Sequence, residues 1–458
     1  MSRAKTRTLA LIYANMVLYA LCFQMQRPLE PFLVDKIQKA AGNNNVQSSS
    51  ESYTQLQSFF GIVQMVGSIV SGPLLDRFGA KGGLLVNFAC SALSYYLLSL
   101  STTMDILYYS KIPTLFQAGY LCGQLAISQI TQEGTERTSA LGLLTTSYLV
   151  GNMVGPALGG MLGANGDYFY GAKLATAGSL LSCLLISLLP LNQAVAENSP
   201  VTSGDEKTTM VKDMKSAAVS GAAASSRGST GRAGGAYMAV LSAVWLFLLT
   251  KLSTGLANAL QGAVMPLILK NNFGLKEQQM GFSMSLMPMV NAAVGAMLGG
   301  IVRAGGGGLN IISLCLASSA AINIVQAFIM LPALSIYVPA LAAESNWLAL
   351  AYMTTQVLLS IPQFILAASI TSESTSRVSV GEQGTLLGLE HGLFAAVRIA
   401  TPSWGQTILT FGGVSSVSGV CAIIYFAAAA FWTSQNHKFV RYLAQKESGT
   451  VTEQYKRK

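Results

Sequence analysis

Long apolar stretches alternate with short polar loops over most of the chain. A helix needs about 20 mainly apolar residues to cross the hydrocarbon core of a bilayer. Twelve stretches meet this requirement, in two sets of six on either side of a polar segment. They lie at about residues 9–34, 53–75, 82–101, 105–129, 138–163, 169–191, 237–270, 279–302, 308–332, 347–371, 384–411 and 414–434. The pattern predicts an all-α membrane protein with two six-helix bundles, 1–191 and 237–434.

The segment between the two sets, 192–236, has a different composition. Ala, Gly, Ser and Thr dominate it, and bulky apolar side chains are almost absent. Such a segment cannot bury enough apolar surface to offset the entropy lost on ordering, so we predict a disordered linker. Residues 435–458 follow the last apolar stretch, carry several Lys and Arg, and are predicted to form a tail.

Charge is scarce and unevenly placed. Only 10% of the residues are charged, whereas soluble domains carry about 25%, so lipid must cover much of the surface. The net charge of +9 does not indicate nucleic-acid binding, because Lys and Arg lie in loops, linker and tails and not on a folded polar face. The even-numbered loops are the more basic, which predicts that both termini and the linker are cytoplasmic.

Cofactor chemistry has little support in the sequence. All six cysteines lie in apolar stretches, where we expect them to be buried as small apolar side chains. His391 and His437 are the two histidines, so a histidine metal site is not expected. No G-x-x-x-x-G-K-[ST] loop is present, which argues against ATP as the energy source. We predict that no cofactor is bound.

The two sets of stretches share short motifs in the same order. The shared fragments are Ile130–Glu133 with Ile370–Glu373, Leu141–Leu143 with Leu387–Leu389, Pro31 with Pro266, and Pro156 with Pro402. Internal repeats of this kind are typical of transporters that bind their substrate between two related halves.

The loop after the second stretch reads GPLLDRFGAK and contains Gly72, Asp76, Arg77, Gly79 and Lys81. Its glycines permit a tight turn. A carboxylate at the end of a helix is disfavoured by the helix dipole, so Asp76 requires a cation or the start of another helix as a partner. The loop resembles the G-x-L-x-D-R-x-G-R-K signature of the major facilitator superfamily, in which this contact latches the cytoplasmic gate. Ala80 departs from that signature. The alternative is a plain turn between two spans.

The fifth stretch carries glycines and a proline at the spacing of the superfamily's antiporter signature. These residues are Gly142, Gly151, Gly155, Pro156, Gly159 and Gly160. Three of the glycines recur every four residues, which forms a smooth stripe for a neighbouring helix. Pro156 cannot donate a backbone hydrogen bond and is expected to bend the helix. We predict a fulcrum for rocking halves here; the alternative is ordinary small-residue packing.

Ionisable residues inside membrane spans are costly and are functional candidates by default. In this fold, the resemblance implies that the first, fourth, seventh and tenth helices line the cavity. The predicted cavity residues are therefore Lys111, Lys251, Gln24, Gln117 and Gln363. Snorkelling to the membrane surface or a static ion pair is the alternative for the two lysines.

Four further ionisable residues have separate expectations. Glu390 and Arg398 lie in the eleventh stretch, where we predict a role in proton coupling and gating. The alternative for Glu390 is a permanent pair with a loop cation. Arg27 and Glu30 are three residues apart, a spacing that allows an ion pair on a helix.

Within the superfamily, three stretches resemble the organic-cation-transporter-like branch and, more distantly, the bacterial tetracycline antiporters. They are Phe59–Leu85, Lys111–Gly160 and Gly384–Gly405. The resemblance implies a major facilitator fold and a proton-coupled antiporter of a small organic solute. It implies a monomer in the plasma membrane or an organelle membrane, surrounded by lipid. The alternatives are an uncoupled facilitator, a receptor or scaffold that does not transport, and an intramembrane enzyme built on Glu390 and His391.

The predicted topology can be tested by cysteine labelling from outside intact cells. Single cysteines at Ser48, Ser203 and Ser448 probe the first loop, the linker and the tail. For protein at the cell surface, Ser48→Cys alone should react with an impermeant maleimide. Labelling of Ser203→Cys from outside would overturn the topology.

Overall fold

The computed structural model describes residues 3–131, 135–188, 230–331, 345–378 and 383–456, almost all of them helical. The first half contains α1 (Arg3–Gln26), α2 (Glu30–Ala40), α3 (Val46–Ser99), α4 (Met104–Lys111), α5 (Gly119–Ile130), α6 (Thr135–Gly163) and α7 (Tyr170–Ser187). The second half contains α8 (Thr230–Leu267), α9 (Glu277–Ala304), α10 (Gly308–Ile329), α11 (Ser345–Thr375) and α12 (Gln383–Lys456). A 3₁₀ turn, Ile112–Phe116, joins α4 to α5, and a π turn, Ile268–Asn272, follows α8.

Every predicted stretch coincides with helical structure, although two helices contain two stretches each. Helix α3 is broken at Gly79 and α12 at Gly413, each with φ of 68°. Glycine adopts this left-handed conformation without a steric penalty, so each break is where one stretch ends and the next begins. In the described part of the chain, eight helical segments are long and apolar enough to cross a membrane. That the chain crosses the membrane twelve times therefore stays a prediction.

The predicted linker, 192–236, lies mostly outside the described residues. Its last part was predicted wrongly, because α8 already begins at Thr230. Extending an existing helix costs far less than nucleating one, so the apolar stretch that follows can carry the helix back into this Gly-rich sequence. The predicted tail also continues α12, which runs to Lys456.

The outer surface is apolar. The most apolar part of α9 has a mean hydropathy of 1.6, yet none of it is buried inside the protein. Phe411, Ile423 and Phe426 are 88%, 69% and 66% exposed. Water would make so much exposed apolar surface unfavourable, whereas lipid covers it without cost.

Each half has its own core. In the first half α1 packs on α6 and α7, and Phe88, Ile127 and Leu144 are buried in its centre. In the second half α8 and α10 pack on α12, around Phe247 and Trp432. The halves meet where α6 packs on α9 and where α3 packs on α12.

The molecule has two ends, which differ in the loops that they carry. The first-loop end carries the loops 41–45 and 273–276, which follow α2 and the π turn. The linker end carries Ser187 and Thr230, between which the two halves are connected. The topology predicted above places the linker end in the cytoplasm.

Candidate transport site

The first half neutralises its intramembrane lysine with a carboxylate of its own. Lys111, the last residue of α4, forms an ion pair with Glu30, the first residue of α2. The second Glu30 oxygen accepts a hydrogen bond from Gln57 Nε2 at 2.5 Å. The Lys111 and Glu30 side chains are only 14% and 10% exposed. A pair with so little access to water is stable only because both charges are matched and further hydrogen-bonded.

The expected pair between Arg27 and Glu30 is absent from the described part of the chain. The spacing rule behind that prediction holds only on a continuous helix. Here α1 ends at Gln26, and the chain makes a turn before α2 starts at Glu30. This break turns Glu30 toward Lys111 and leaves Arg27 on a different side.

The second half contains a comparable pair. Lys251 of α8 is ion-paired with Glu390 of α12, and its Nζ also donates to Thr371 Oγ1 at 2.8 Å. The Glu390 side chain is 4% exposed. The cation that meets Glu390 thus lies in a membrane helix, which corrects the alternative of a loop cation. A cavity of about 10 Å³, lined by Lys251, Glu390 and Phe394, adjoins the pair and has room for about one water molecule.

Arg27 and Arg398 are arranged differently from the lysines. Both residues are exposed, Arg27 in the turn between α1 and α2 and Arg398 within α12. They are close enough for their charges to act on each other, and Tyr148 of α6 lies within reach of both charges. Among the described residues, no carboxylate is paired with either arginine. The exposed surface therefore belongs to a space between the halves that carries uncompensated positive charge.

The three predicted cavity glutamines are engaged within their own halves. Gln24 Nε2 donates to Asn152 Oδ1 at 3.0 Å, which ties α1 to α6. Gln117 Nε2 donates to Ser91 Oγ at 3.0 Å and is buried. Gln363 of α11 lies near the hydroxyl of Tyr425 of α12, which donates to Asn258 Oδ1 at 2.5 Å. These contacts fix helix packing in the present conformation, and a role in substrate binding stays a prediction.

The glycine stripe of α6 lies against α1 of the same half. A Cβ at Gly151 would come within 2.5 Å of the Ala20 Cβ, and one at Gly159 within 2.0 Å of the Met25 carbonyl oxygen. Gly155 meets Gln24 in the same way. Only glycine, which has no Cβ, allows α1 and α6 to approach this closely. The stripe itself lies inside the first half, and its role as a fulcrum stays a prediction.

The contact between halves uses the adjacent face of α6. A Cβ at Gly281 of α9 would come within 2.3 Å of the Pro156 carbonyl oxygen, and one at Gly160 within 2.9 Å of the Gly281 Cα. The proline also disturbs the helical hydrogen bonds around it. The backbone N–H of Ala157 instead donates to Ser285 Oγ of α9 at 3.0 Å. The opposite half thus supplies a hydrogen-bond acceptor for α6 next to its proline.

Polar contacts close the first-loop end. Lys270 Nζ lies 3.1 Å from Asp35 Oδ2 and donates to the Pro31 carbonyl at 3.0 Å, which joins the second half to the first. Tyr168 donates to Glu277 Oε1 at 2.7 Å across the same boundary. Further links join Ser58 with Ser403, Gln47 with Thr410, and Asn271 with Ser50.

Asp35 does not exchange protons near neutral pH. Burial alone would raise the pKa of its carboxyl group, but hydrogen bonds and charge from Lys39 and Lys270 outweigh burial and hold the pKa below its ordinary 3.8. Because the pKa is lowered in this state, the ion pair is fully formed above that value and is lost as the pH falls through the lowered pKa. Asp35 therefore latches the first-loop end without sensing physiological pH changes.

Sequence analysis missed Asp35 and Lys270, although the internal repeat contained the signal. Each follows the repeated proline by four positions, in PFLVD after Pro31 and PLILK after Pro266. Equivalent positions in two related halves come close to each other near their symmetry axis. Opposite charges at such positions predict a bridge between the halves.

The predicted gate loop is described only in part. For Gly72, Asp76, Arg77 and His391 the structure describes only the helical backbone, so their roles stay predictions. Gly79 makes the break in α3, and Lys81 Nζ donates to the Ser187 carbonyl at 3.0 Å. Ala80 is 2% exposed and packs in the core of the first half. A longer basic side chain, as in the signature, would not fit there.

A family profile described as Major Facilitator Superfamily matches residues 12–402 of the chain. The chain belongs to the major facilitator superfamily. It is 24% identical over 421 residues to rat solute carrier family 22 member 18, which covers 90% of this chain and 89% of that protein. The match to the mouse protein of the same name spans 64% of that protein. The class H tetracycline resistance protein of Pasteurella multocida is 32% identical, over 31% of this chain and 35% of that protein. Both predicted resemblances are confirmed.

Solved structures confirm the fold. A D-xylose–proton symporter superposes with a TM-score of 0.67 and 9% identity, over 94% of this chain and 97% of that one. The human organic anion transporter MFSD10 superposes with a TM-score of 0.55 and 18% identity, over 94% and 100%. This superfamily protein is therefore a multi-pass membrane carrier and not an enzyme.

The contact between Gly281 and α6 predicts a substitution that acts on the closure of the first-loop end. In Gly281→Ala the added methyl group collides with the Pro156 carbonyl, so the halves cannot meet. We expect normal membrane insertion and a rate of solute exchange lowered about tenfold, the effect of about 1.4 kcal/mol. Initial rates in proteoliposomes measure this effect.

Gly299→Ala is the matched control, because Gly299 lies on the same helix and nothing lies within 4 Å of an added Cβ. Both changes raise helix propensity equally. Equal exchange rates in the two variants would contradict a role for the contact between α6 and α9.

Proposed function

We propose that this protein is a secondary active transporter that exchanges a small organic solute for protons by alternating access. The observation that carries the proposal is the set of contacts that joins the halves at the first-loop end. These contacts lie beyond a central space to which Arg27 and Arg398 are exposed. Rocking about the contact between α6 and α9 would release this end and close the linker end.

The closing contacts are weak enough to be reversed. Tyr168 with Glu277, and Lys270 with Asp35 and the Pro31 carbonyl, are polar contacts at the edge of the membrane. Each is expected to contribute about 1 kcal/mol. Differential binding of a solute to the two conformations can supply a free energy of this size.

Proton coupling is proposed for the pair of Lys251 and Glu390. Its buried carboxylate is ion-paired with the lysine, and the Glu390 side chain is only 4% exposed. If the lysine moves away when the halves rock, the isolated charge becomes costly, and the carboxyl group takes up a proton instead. The adjoining cavity, with room for about one water molecule, offers a route for that proton. Glu30 with Lys111 is the equivalent candidate in the first half.

An uncoupled facilitator is the second candidate function. The observation that favours it is the same neutral pairing, because a pair that never separates exchanges no protons. The two candidates differ only in whether the Lys251–Glu390 pair opens during the transport cycle.

Removal of both charges separates the candidates. Glu390→Gln alone leaves an unpaired buried lysine, which costs about 3–5 kcal/mol, so the informative variant is Lys251→Met/Glu390→Gln. Proteoliposomes that contain the pH dye pyranine are supplied with benzoate, benzamide, benzylamine and tetracycline. For the wild-type protein we expect solute-driven proton movement. For the double variant we expect solute exchange without proton movement.

The matched control is Arg377→Met/Glu373→Gln, which removes an i,i+4 pair on the same half and should leave coupling unchanged. Proton movement at the native level in Lys251→Met/Glu390→Gln would place the coupling group elsewhere. Solute exchange by the wild-type protein without proton movement would favour the facilitator.

A further inference from the structure

The intramembrane cations fall into two classes. Lys111, Lys251 and Lys270 each have a carboxylate partner within the described residues. Arg27 and Arg398 have none there, although their guanidinium groups cannot lose a proton to avoid the cost. The unpaired class contains one arginine from each half, together with Lys173, which is exposed in the first turn of α7.

Local backbone geometry brings the two arginines to the same space. Arg27 lies in the turn that separates α1 from α2. Arg398 precedes Pro402 by four residues, so its carbonyl loses its helical donor and lies against α3. A Cβ at Gly61 would be 3.1 Å from that carbonyl oxygen. The bend of α12 and the glycine of α3 thus set Arg398 at the boundary of the halves.

The two guanidinium groups repel each other. Their charges interact directly, and the Tyr148 hydroxyl lies within the field of both. Like charges in a partly desolvated space destabilise the protein unless something else compensates them. An anion placed between the two arginines would replace their mutual repulsion by attraction to the anion. Each guanidinium group can donate two hydrogen bonds to acidic oxygens.

The walls near this space are aromatic. Phe23 lies one turn before Arg27, and its ring centroid is 6.2 Å from that of Phe60 on α3. Tyr148 packs edge-on against Tyr120 with centroids 5.6 Å apart. Of these rings, that of Tyr148 lies within reach of both guanidinium charges. An aromatic ring at such a place favours a ligand with both an acidic head and an apolar body.

We propose that the central site binds an organic anion, with its carboxylate, sulfonate or phosphate group held between Arg27 and Arg398. This assignment rests on the proposed transport function, of which it names the substrate class. The arginines come from opposite halves, so the bound anion removes their repulsion and lets the halves approach around it. The substrate thereby takes part in closing the site.

Binding to the purified full chain in nanodiscs tests the assignment without requiring transport. Calorimetric titration in gluconate buffer, which avoids competition by chloride, compares benzoate, benzenesulfonate and phenyl phosphate with neutral benzamide and cationic benzylamine. At least one of the three anions is expected to bind at least tenfold more tightly than benzamide and benzylamine. Arg27→Gln and Arg398→Gln should each weaken that binding about tenfold or more, as for a lost hydrogen bond to a charged group.

Three controls separate binding from folding. Arg303→Gln changes an exposed arginine that bonds to its own helix and should bind anions as the wild-type protein does. Without anions, Arg27→Gln and Arg398→Gln should melt no lower than the wild-type protein, because a repulsion is relieved; a structural arginine would lower the melting temperature. Arg398→Lys keeps the positive charge but loses the planar guanidinium group. Its anion affinity should lie between those of the wild-type protein and Arg398→Gln.

The result that would overturn the assignment is anion binding no tighter than benzamide binding, or tight binding that survives in both arginine variants. Exchange of benzylamine or benzamide by a protein that binds no anion would leave the transport function standing and refute the substrate class. Anion binding that depends on the arginines, without exchange of any solute, would support the anion site and refute the transport function.

Discussion

Unpaired charge inside a membrane is the constraint on which this structure depends. A lysine in the apolar part of a helix must find a carboxylate, reach water, or lose its proton. Both halves solve this problem internally, through Lys111 with Glu30 and Lys251 with Glu390. Each half is therefore close to neutral in its own interior and can move as a unit. Arg27 and Arg398 have no carboxylate partner in the described part of the chain, which leaves their charge available to a ligand between the halves.

Helix irregularities place these groups. The turn after α1 presents Glu30 to Lys111, and the 3₁₀ turn after Lys111 ends α4 at that residue. Pro156 bends α6 and leaves the Ala157 N–H for Ser285 of the other half. Non-helical backbone at membrane depth is tolerated only where protein or a water-filled space satisfies it. The breaks thus mark the parts of each helix that serve the site and the boundary of the halves.

The sequence was sufficient to predict the fold and much less of the site. Apolar length and the repeated prolines predict two related bundles, and GPLLDRFGAK with the glycine stripe predicts the superfamily, because these signals are local. Pairing is not local. The partner of Glu30 depends on a break after Gln26 that no spacing rule reveals. The gap between Arg27 and Arg398 spans most of the chain, so only the packing of both halves brings them together.

Asp35 and Lys270 occupy equivalent positions of the repeat and carry opposite charges, which is a prediction that sequence comparison of the two halves makes directly. Gly281 gave no comparable signal, since a glycine in an apolar stretch is common and only the opposing Pro156 carbonyl requires it.

The central claim, that the two ends open in alternation, is tested most directly by distances between spin labels across each end. Labels at Asn44 and Lys276 span the first-loop end, and labels at Ser187 and Ser434 span the linker end; all four residues are exposed. Double electron–electron resonance in nanodiscs is recorded with and without benzoate, and at two pH values. The account predicts that the first-loop distance lengthens whenever the linker-end distance shortens. Distances that change together, or that do not change under any condition in a protein that exchanges solute, would contradict it.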